Sequence, residues 1–218
     1  MDVKEISTEY CLRGFIEVRR SVISHGLHEG GMSPPIVREH ACAGPVVAVL
    51  PYDPDQDRVV MVRQFRIGAW AAGLPPAPWD IVAGIRDGEE SLEQAARREL
   101  REETGCDAVR LHPIGNFLTA PHVSSEKLGM LCAQVRAFDG ERRCGVEAEG
   151  EDILAACLEF GAALDLLKAA ELPLWAAMGL QWLECHRSRL RATWRTRAGE
   201  ESGPGLDGQP ASVAAGPS

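Results

Sequence analysis

The sequence predicts an α+β fold with a mixed β-sheet, and three observations lead there. Several short β-rich runs come before a single well-bounded helix, further strand-length runs follow it, and two helical stretches close the ordered part. The chain has 218 residues, 45% of them hydrophobic and 25% charged, which suits one medium domain with a substantial core. A formal charge of −9 argues against a general nucleic-acid binder, because neutralising phosphates needs clustered Lys and Arg. It is compatible with a phosphate-bearing small molecule, since a bound divalent cation reverses the local sign.

Residues 1–43 read as an amino-terminal arm. Within it Gly14-Phe15-Ile16-Glu17-Val18-Arg19 alternates apolar and polar residues as a half-buried strand does, and 24–35 is a Gly/Pro-rich loop. The run Val46–Leu50, the turn residues Pro51–Asp55 and the run Arg58–Arg63 form a hairpin pattern. A proline-rich loop, 73–78, leads to a strand, Trp79–Ala83, that stops at Gly84. A helix over 92–104, strands near 108–118, 128–138 and 153–160, and helices over 161–171 and 174–190 complete a domain spanning 44–190. The Gly/Pro/Ser/Ala composition beyond it predicts a disordered tail, 191–218. The most apolar stretch, 161–180, is broken by Asp165, Lys168 and Glu171, so no membrane helix is expected. The amino-terminal residues are polar and lack a signal-peptide core. Seven scattered cysteines without a C-x-x-C pair read as reduced thiols, which points to the cytoplasm.

The helix over 92–104 carries the chemistry. Ser91 and Gln94 have capping-box spacing, and Gly105 suits the left-handed position beyond the last turn. At about 100° per residue from Leu92, Ala95, Ala96 and Leu100 form an apolar face, and Glu99 and Glu103 fall within about 20° of its centre. Glu102 lies at its edge, and Arg97, Arg98 and Arg101 lie on the outer side. A solvated charged helix would mix acids and bases on the polar side, as Arg98 and Glu102 do, but Glu99 and Glu103 occupy core positions. Buried carboxylates need a cation or hydrogen-bond donors, and oxygen-only ligands on one face suit Mg²⁺ or Mn²⁺.

Residues Gly84–Cys106 resemble the box of the Nudix hydrolases, G-x5-E-x7-R-E-U-x-E-E-x-G-U with U a bulky apolar residue. Gly84, Glu90, Arg98, Glu99, Leu100, Glu102, Glu103, Gly105 and Cys106 fill its defined positions. The resemblance implies the Nudix fold, a mixed sheet sandwiched between helices, and metal-dependent hydrolysis of nucleoside diphosphates linked to another moiety. Pro121, about 16 residues beyond Gly105, and the loop 120–127 around it resemble the branch that cleaves ADP-ribose, as do Gln64-Phe65-Arg66, 149–153 and 176–183; about residues 12–190 are covered. His122 stands where that branch has glycine, and Asp80 where it has glutamate.

The resemblance implies that the Ala83 carbonyl, Glu99, Glu103 and Glu151 hold the metal, with Glu102 holding a metal or its water. It implies Glu149 as the general base on a loop, 142–151, whose Gly/Glu content suggests mobility, and Arg98 as a brace for the glutamates. Arg66 would meet a phosphate, the alternative being that it simply ends a strand in solvent. Ile85, Ala120, Pro121, His122 and Glu126 would line the ribose end, and Phe15, Arg38 and Glu39 the adenosine end, supplied by the partner subunit of a homodimer. The leading expectation is a Mg²⁺-dependent enzyme, with Mn²⁺ as the alternative ion, that acts on a nucleoside diphosphate sugar, ADP-ribose first. A GDP-mannose or broader nucleoside diphosphate sugar hydrolase is one alternative. A catalytically silent ADP-ribose sensor is another, disfavoured by the complete set of box glutamates.

Overall fold

A computed structural model describes residues 1–169 and 172–194. The strands β1 (Val3–Arg13), β2 (Glu17–His25) and β3 (Ile36–Cys42) form an antiparallel three-stranded sheet in sequence order. The second sheet contains β4 (Pro45–Asp53), β5 (Arg58–Arg63), β6 (Trp79–Asp80), β7 (Val82–Ile85), β8 (Arg110–Leu118), β9 (Lys127–Gln134), β10 (Glu141–Cys144) and β11 (Ile153–Glu159). Its main path runs β10-β11-β5-β4-β9-β8, with β6 on β5 and β7 on β4. The β4–β9 pair is parallel and the other pairs are antiparallel, so the sheet is mixed.

Helices cover both faces of this sheet. Along β4, Val47 and Val49 point to a core completed by Ala95, Ala96 and Leu100 of α2 (Leu92–Thr104). Ala48, Leu50 and Tyr52 point to the opposite core, where Phe160 and Ala163 of α3 (Phe160–Ala169) and Ala176, Leu180 and Leu183 of α4 (Leu174–Trp194) pack. Burial on both faces explains the uninterrupted apolar runs of β4 and β5.

Local chemistry bounds α2 as expected. The Ser91 hydroxyl accepts from the Gln94 N–H at 3.2 Å, the Gln94 side chain accepts from the Ser91 N–H at 2.8 Å, and Gly105 is left-handed at φ 66°. The expected hairpin is β4–β5, although β4 continues through Pro51 to Asp53 before the turn.

Several elements differ from expectation. The strand expected at 14–19 straddles the turn between β1 and β2, and β1 itself leaves no burial pattern in the sequence because every one of its residues is exposed. The strand expected over Trp79–Ala83 divides at Ile81, where the chain leaves β5 and joins β4. A short helix, α1 (Ile67–Ala71), follows Arg66. The segment expected to be a mobile loop, 142–151, begins as edge strand β10 and later forms one 3₁₀ turn, Glu147–Glu149. Helix α4 runs past 190 to Trp194 because Leu190 and Trp194 remain buried; the rest of the expected tail lies outside the described residues.

Removing the cap at the start of α2 tests how far local chemistry holds the helix. Ser91→Ala should lower stability by about 0.5–2 kcal/mol in urea unfolding. An unchanged midpoint would assign the helix start to packing alone.

Candidate active site

The helical register that buries Ala95, Ala96 and Leu100 also buries two carboxylates. Glu99 is 8% exposed and Glu103 2%. Glu99 Oε1 accepts from Arg98 Nη1 at 2.7 Å, whereas Glu103 Oε2 has no hydrogen-bond partner. Burial pushes the Glu103 carboxyl well above the ordinary range; Arg66 opposes this, and the charges of Glu99, Glu151 and Asp80 add to it. Burial also raises Glu99, against the pull of Arg98. Gly84 lies against the same group, since a Cβ there would overlap the Glu99 carboxylate.

Arg98 departs from its expected outward direction and folds back over the site. Its Nε and Nη2 donate to the two oxygens of Glu90 at 2.9 and 3.0 Å, a bidentate pair. Nη1 also reaches Glu102 Oε2 at 3.1 Å, and Nη2 reaches the Ile85 carbonyl at 3.0 Å. These bonds, led by Glu90, raise the Arg98 pKa, so the guanidinium is a fixed positive brace between the end of β7 and the first turns of α2. Ala83 lies on β7 opposite Ala48, one residue before Gly84.

A second segment approaches the helix from the sheet edge. The Gly145 N–H donates to the Glu102 carbonyl at 3.0 Å, tying the end of β10 to α2. Glu151 Oε2 accepts from the Val146 N–H at 3.1 Å, which closes the intervening turn. Glu149 and Glu151 line a groove of about 620 Å³ with Arg63, Gln64 and Phe65. Next to that groove, Arg66 Nη2 donates to Asp80 Oδ2 at 3.0 Å, and the Trp175 indole donates to Asp80 Oδ1 at 2.8 Å. Trp175 escaped the sequence reading because a tryptophan near a helix start carries no motif.

The remaining expected residues fall into two groups. Ala120, Pro121 and His122 form a turn in which the Val123 and Ser124 N–H groups donate to the Ala120 carbonyl, and Glu126 follows it. This turn is clipped to the arm by Ala41 N–H to the Val123 carbonyl at 2.9 Å and Ser125 N–H to the Ala41 carbonyl at 3.1 Å. Phe15, at the β1–β2 turn, is fully exposed, Arg38 bonds its neighbouring Val37 carbonyl, and Glu39 pairs with Arg20 at 2.6 Å. Within one chain these three do not line the groove beside Glu149 and Glu151.

The residues present fit a hard divalent cation. The donors are carboxylate oxygens, and the unpartnered Glu103 Oε2 is a buried acceptor among mutually repelling acids. Among the described residues no three His, Cys, Asp or Glu side chains already enclose a common point. Arg98 holds Glu99, and the Val146 N–H holds Glu151, in their own hydrogen bonds. Glu99, Glu103 and Glu151 are the side chains that would hold the ion.

The NUDIX domain family model matches residues 43–171, and the chain belongs to that family. The ADP-ribose pyrophosphatase of Escherichia coli K12 is 32% identical over 194 residues, covering 88% of this chain and 93% of the relative. That of Haemophilus influenzae is 28% identical, covering 89% and 91%. The GDP-mannose pyrophosphatase of Salmonella typhimurium LT2 is 31% identical over 137 residues, covering 62% and 70%. A crystal structure of an ADP compounds hydrolase shares the fold, with a TM-score of 0.61 and 20% identity, covering 90% of this chain and 98% of that one.

The contact between Gly84 and Glu99 offers a test that keeps every carboxylate in the chain but displaces that of Glu99. Gly84→Ala should weaken Mn²⁺ binding roughly 10–100-fold in calorimetry, the usual cost of disturbing a ligand's support. Unchanged affinity would remove Glu99 from the ligand set.

Proposed function

We propose that the chain is a Mg²⁺-dependent Nudix pyrophosphohydrolase that uses one water to split ADP-ribose into AMP and ribose 5-phosphate. The observation that carries this reading is the buried Glu99–Glu103 pair with its unpartnered oxygen, set in a complete Nudix box. The choice of ADP-ribose is supported by relatives of that name which this chain matches over nearly their whole length.

When bound, the cation supplies charge neutralisation of the pyrophosphate and acidifies water. The chain's own residues do the rest. Glu99, Glu103 and Glu151, with the Ala83 carbonyl, form the ligand set, and Glu102 supports it through its bond to Arg98. Arg66 pairs with a phosphate oxygen. Glu149, exposed on its turn beside the groove, accepts the proton of the attacking water. Ile85, Ala120, Pro121, His122 and Glu126 border the ribose end.

Phe15, Arg38 and Glu39 belong to a homodimer in which the arm of one protomer serves the site of its partner. The exposed apolar residues Ile6, Leu12, Phe15 and Ile16 support this reading, because β1 and the turn after it bury none of them within their own chain. Seven free cysteines support a reducing, cytoplasmic setting. Among the described residues no helix is long and apolar enough to cross a membrane.

Incubation with ADP-ribose and Mg²⁺ should release AMP. Preferential turnover of GDP-mannose would transfer the assignment to the alternative that a GDP-mannose pyrophosphatase relative favours. Glu103→Gln should lower turnover by orders of magnitude with the thermal midpoint retained; near-normal activity would remove the metal assignment. Light scattering at micromolar concentration should report a dimer, and a monomer there would contradict the role given to the arm.

A further inference from the structure

Arg66 is held by more than its sequence neighbourhood requires. It follows β5 and is the positive charge that most offsets the buried Glu103 carboxylate. Its guanidinium is oriented by two acceptors. Nη2 donates to Asp80 Oδ2 at 3.0 Å. The Gln64 amide oxygen, turned toward the guanidinium, accepts from Nη2 at 2.9 Å and Nη1 at 3.2 Å. Nε is buried and has no acceptor. The side chain is 31% exposed, so part of the group stays open while its donors are only partly used.

Asp80 is itself fixed on its other side. It is 1% exposed, and Oδ1 accepts from both the Ile81 N–H and the Trp175 indole N–H, each at 2.8 Å. One carboxylate oxygen thus faces Arg66 and the other is pinned by two donors. A carboxylate fixed in plane and direction presents its second oxygen to the guanidinium in one geometry. Trp175 stands near the start of α4, on an element separate from the segment after β5 that carries Arg66 and from the strand that carries Asp80, and with Arg66 it lines a cavity of about 700 Å³.

We propose that Trp175 and Asp80 are positioning residues that hold Arg66 in the orientation in which it grips the pyrophosphate. The inference rests on the reading of Arg66 as a phosphate contact. Without the indole N–H, Asp80 Oδ1 keeps one donor of two, the carboxylate gains rotational freedom, and Arg66 loses its fixed direction. Binding then suffers through Arg66 while the core stays intact, because phenylalanine at 175 still fills the partly exposed site.

The test is a double-mutant cycle read by calorimetry with ADP as the probe, in the presence of Mg²⁺. Trp175→Phe should bind ADP about tenfold more weakly than the unaltered protein, equivalent to about 1.4 kcal/mol, with a similar thermal midpoint. In an Arg66→Ala background the same change should add almost nothing, because the group it positions is gone. With ADP-ribose, Trp175→Phe should raise KM about as much and leave kcat nearly unchanged. Unaltered ADP affinity in Trp175→Phe would overturn the proposal, as would a full tenfold loss that persists in the Arg66→Ala background. If Trp175→Phe does not fold, Asp80→Asn is judged by the same cycle. Wild-type ADP affinity in Arg66→Ala would refute the phosphate contact, and the positioning role with it. Failure to hydrolyse ADP-ribose would refute only the substrate assignment, since the ADP cycle still decides the positioning role.

Discussion

A helix that places carboxylates where leucines would pack has to offset the cost of taking them out of water. Moving an ion into a protein interior costs several kcal/mol even after relaxation, and Glu99 and Glu103 both lie on the buried face of α2. Arg98 offsets part of that cost for Glu99, at 2.7 Å. Glu103 has no such partner at Oε2, and its neighbouring acids make ionisation harder still. A divalent cation bound there would remove the repulsion and supply the missing partner in one step, which ties the buried pair to the proposed chemistry.

The fold brings this pair to the meeting point of three segments. β7 leaves β4 at Ile85 and turns into α2, with Arg98 bridging the junction through Glu90 and the Ile85 carbonyl. From the far edge of the sheet, β10 and the turn after it return to α2, where Gly145 bonds the Glu102 carbonyl and Glu151 comes near Glu99 and Glu103. Arg66, in the segment after β5, acts on Glu103 through its charge. The hydrophobic sheet, covered on both faces, carries these segments; the arm, with every residue of β1 exposed, takes no part in that core.

The helix and its two carboxylates were legible in the sequence because each depends on short-range rules. Ser91, Gln94 and Gly105 bound α2, and a 3.6-residue period puts Glu99 and Glu103 beside Leu100. The exposed strand β1 was not legible, since it is defined by pairing with β2 and has no buried face to leave a period. Residues 142–151 have the composition of a loop, and the part of them that lies in β10 makes an edge strand only because β11 is alongside. The inward fold of Arg98 overrides its angular position because a long flexible side chain goes where its acceptors are. The Asp80–Trp175 bond spans segments distant in sequence, a juxtaposition no local pattern encodes.

Crystals grown with Mn²⁺ and measured for anomalous scattering would locate the ion that the buried pair calls for. A manganese peak is expected at bonding distance from Glu103 Oε2, with Glu99 in the same coordination sphere. A manganese ion bound elsewhere, with Glu103 still buried and unliganded, would contradict it.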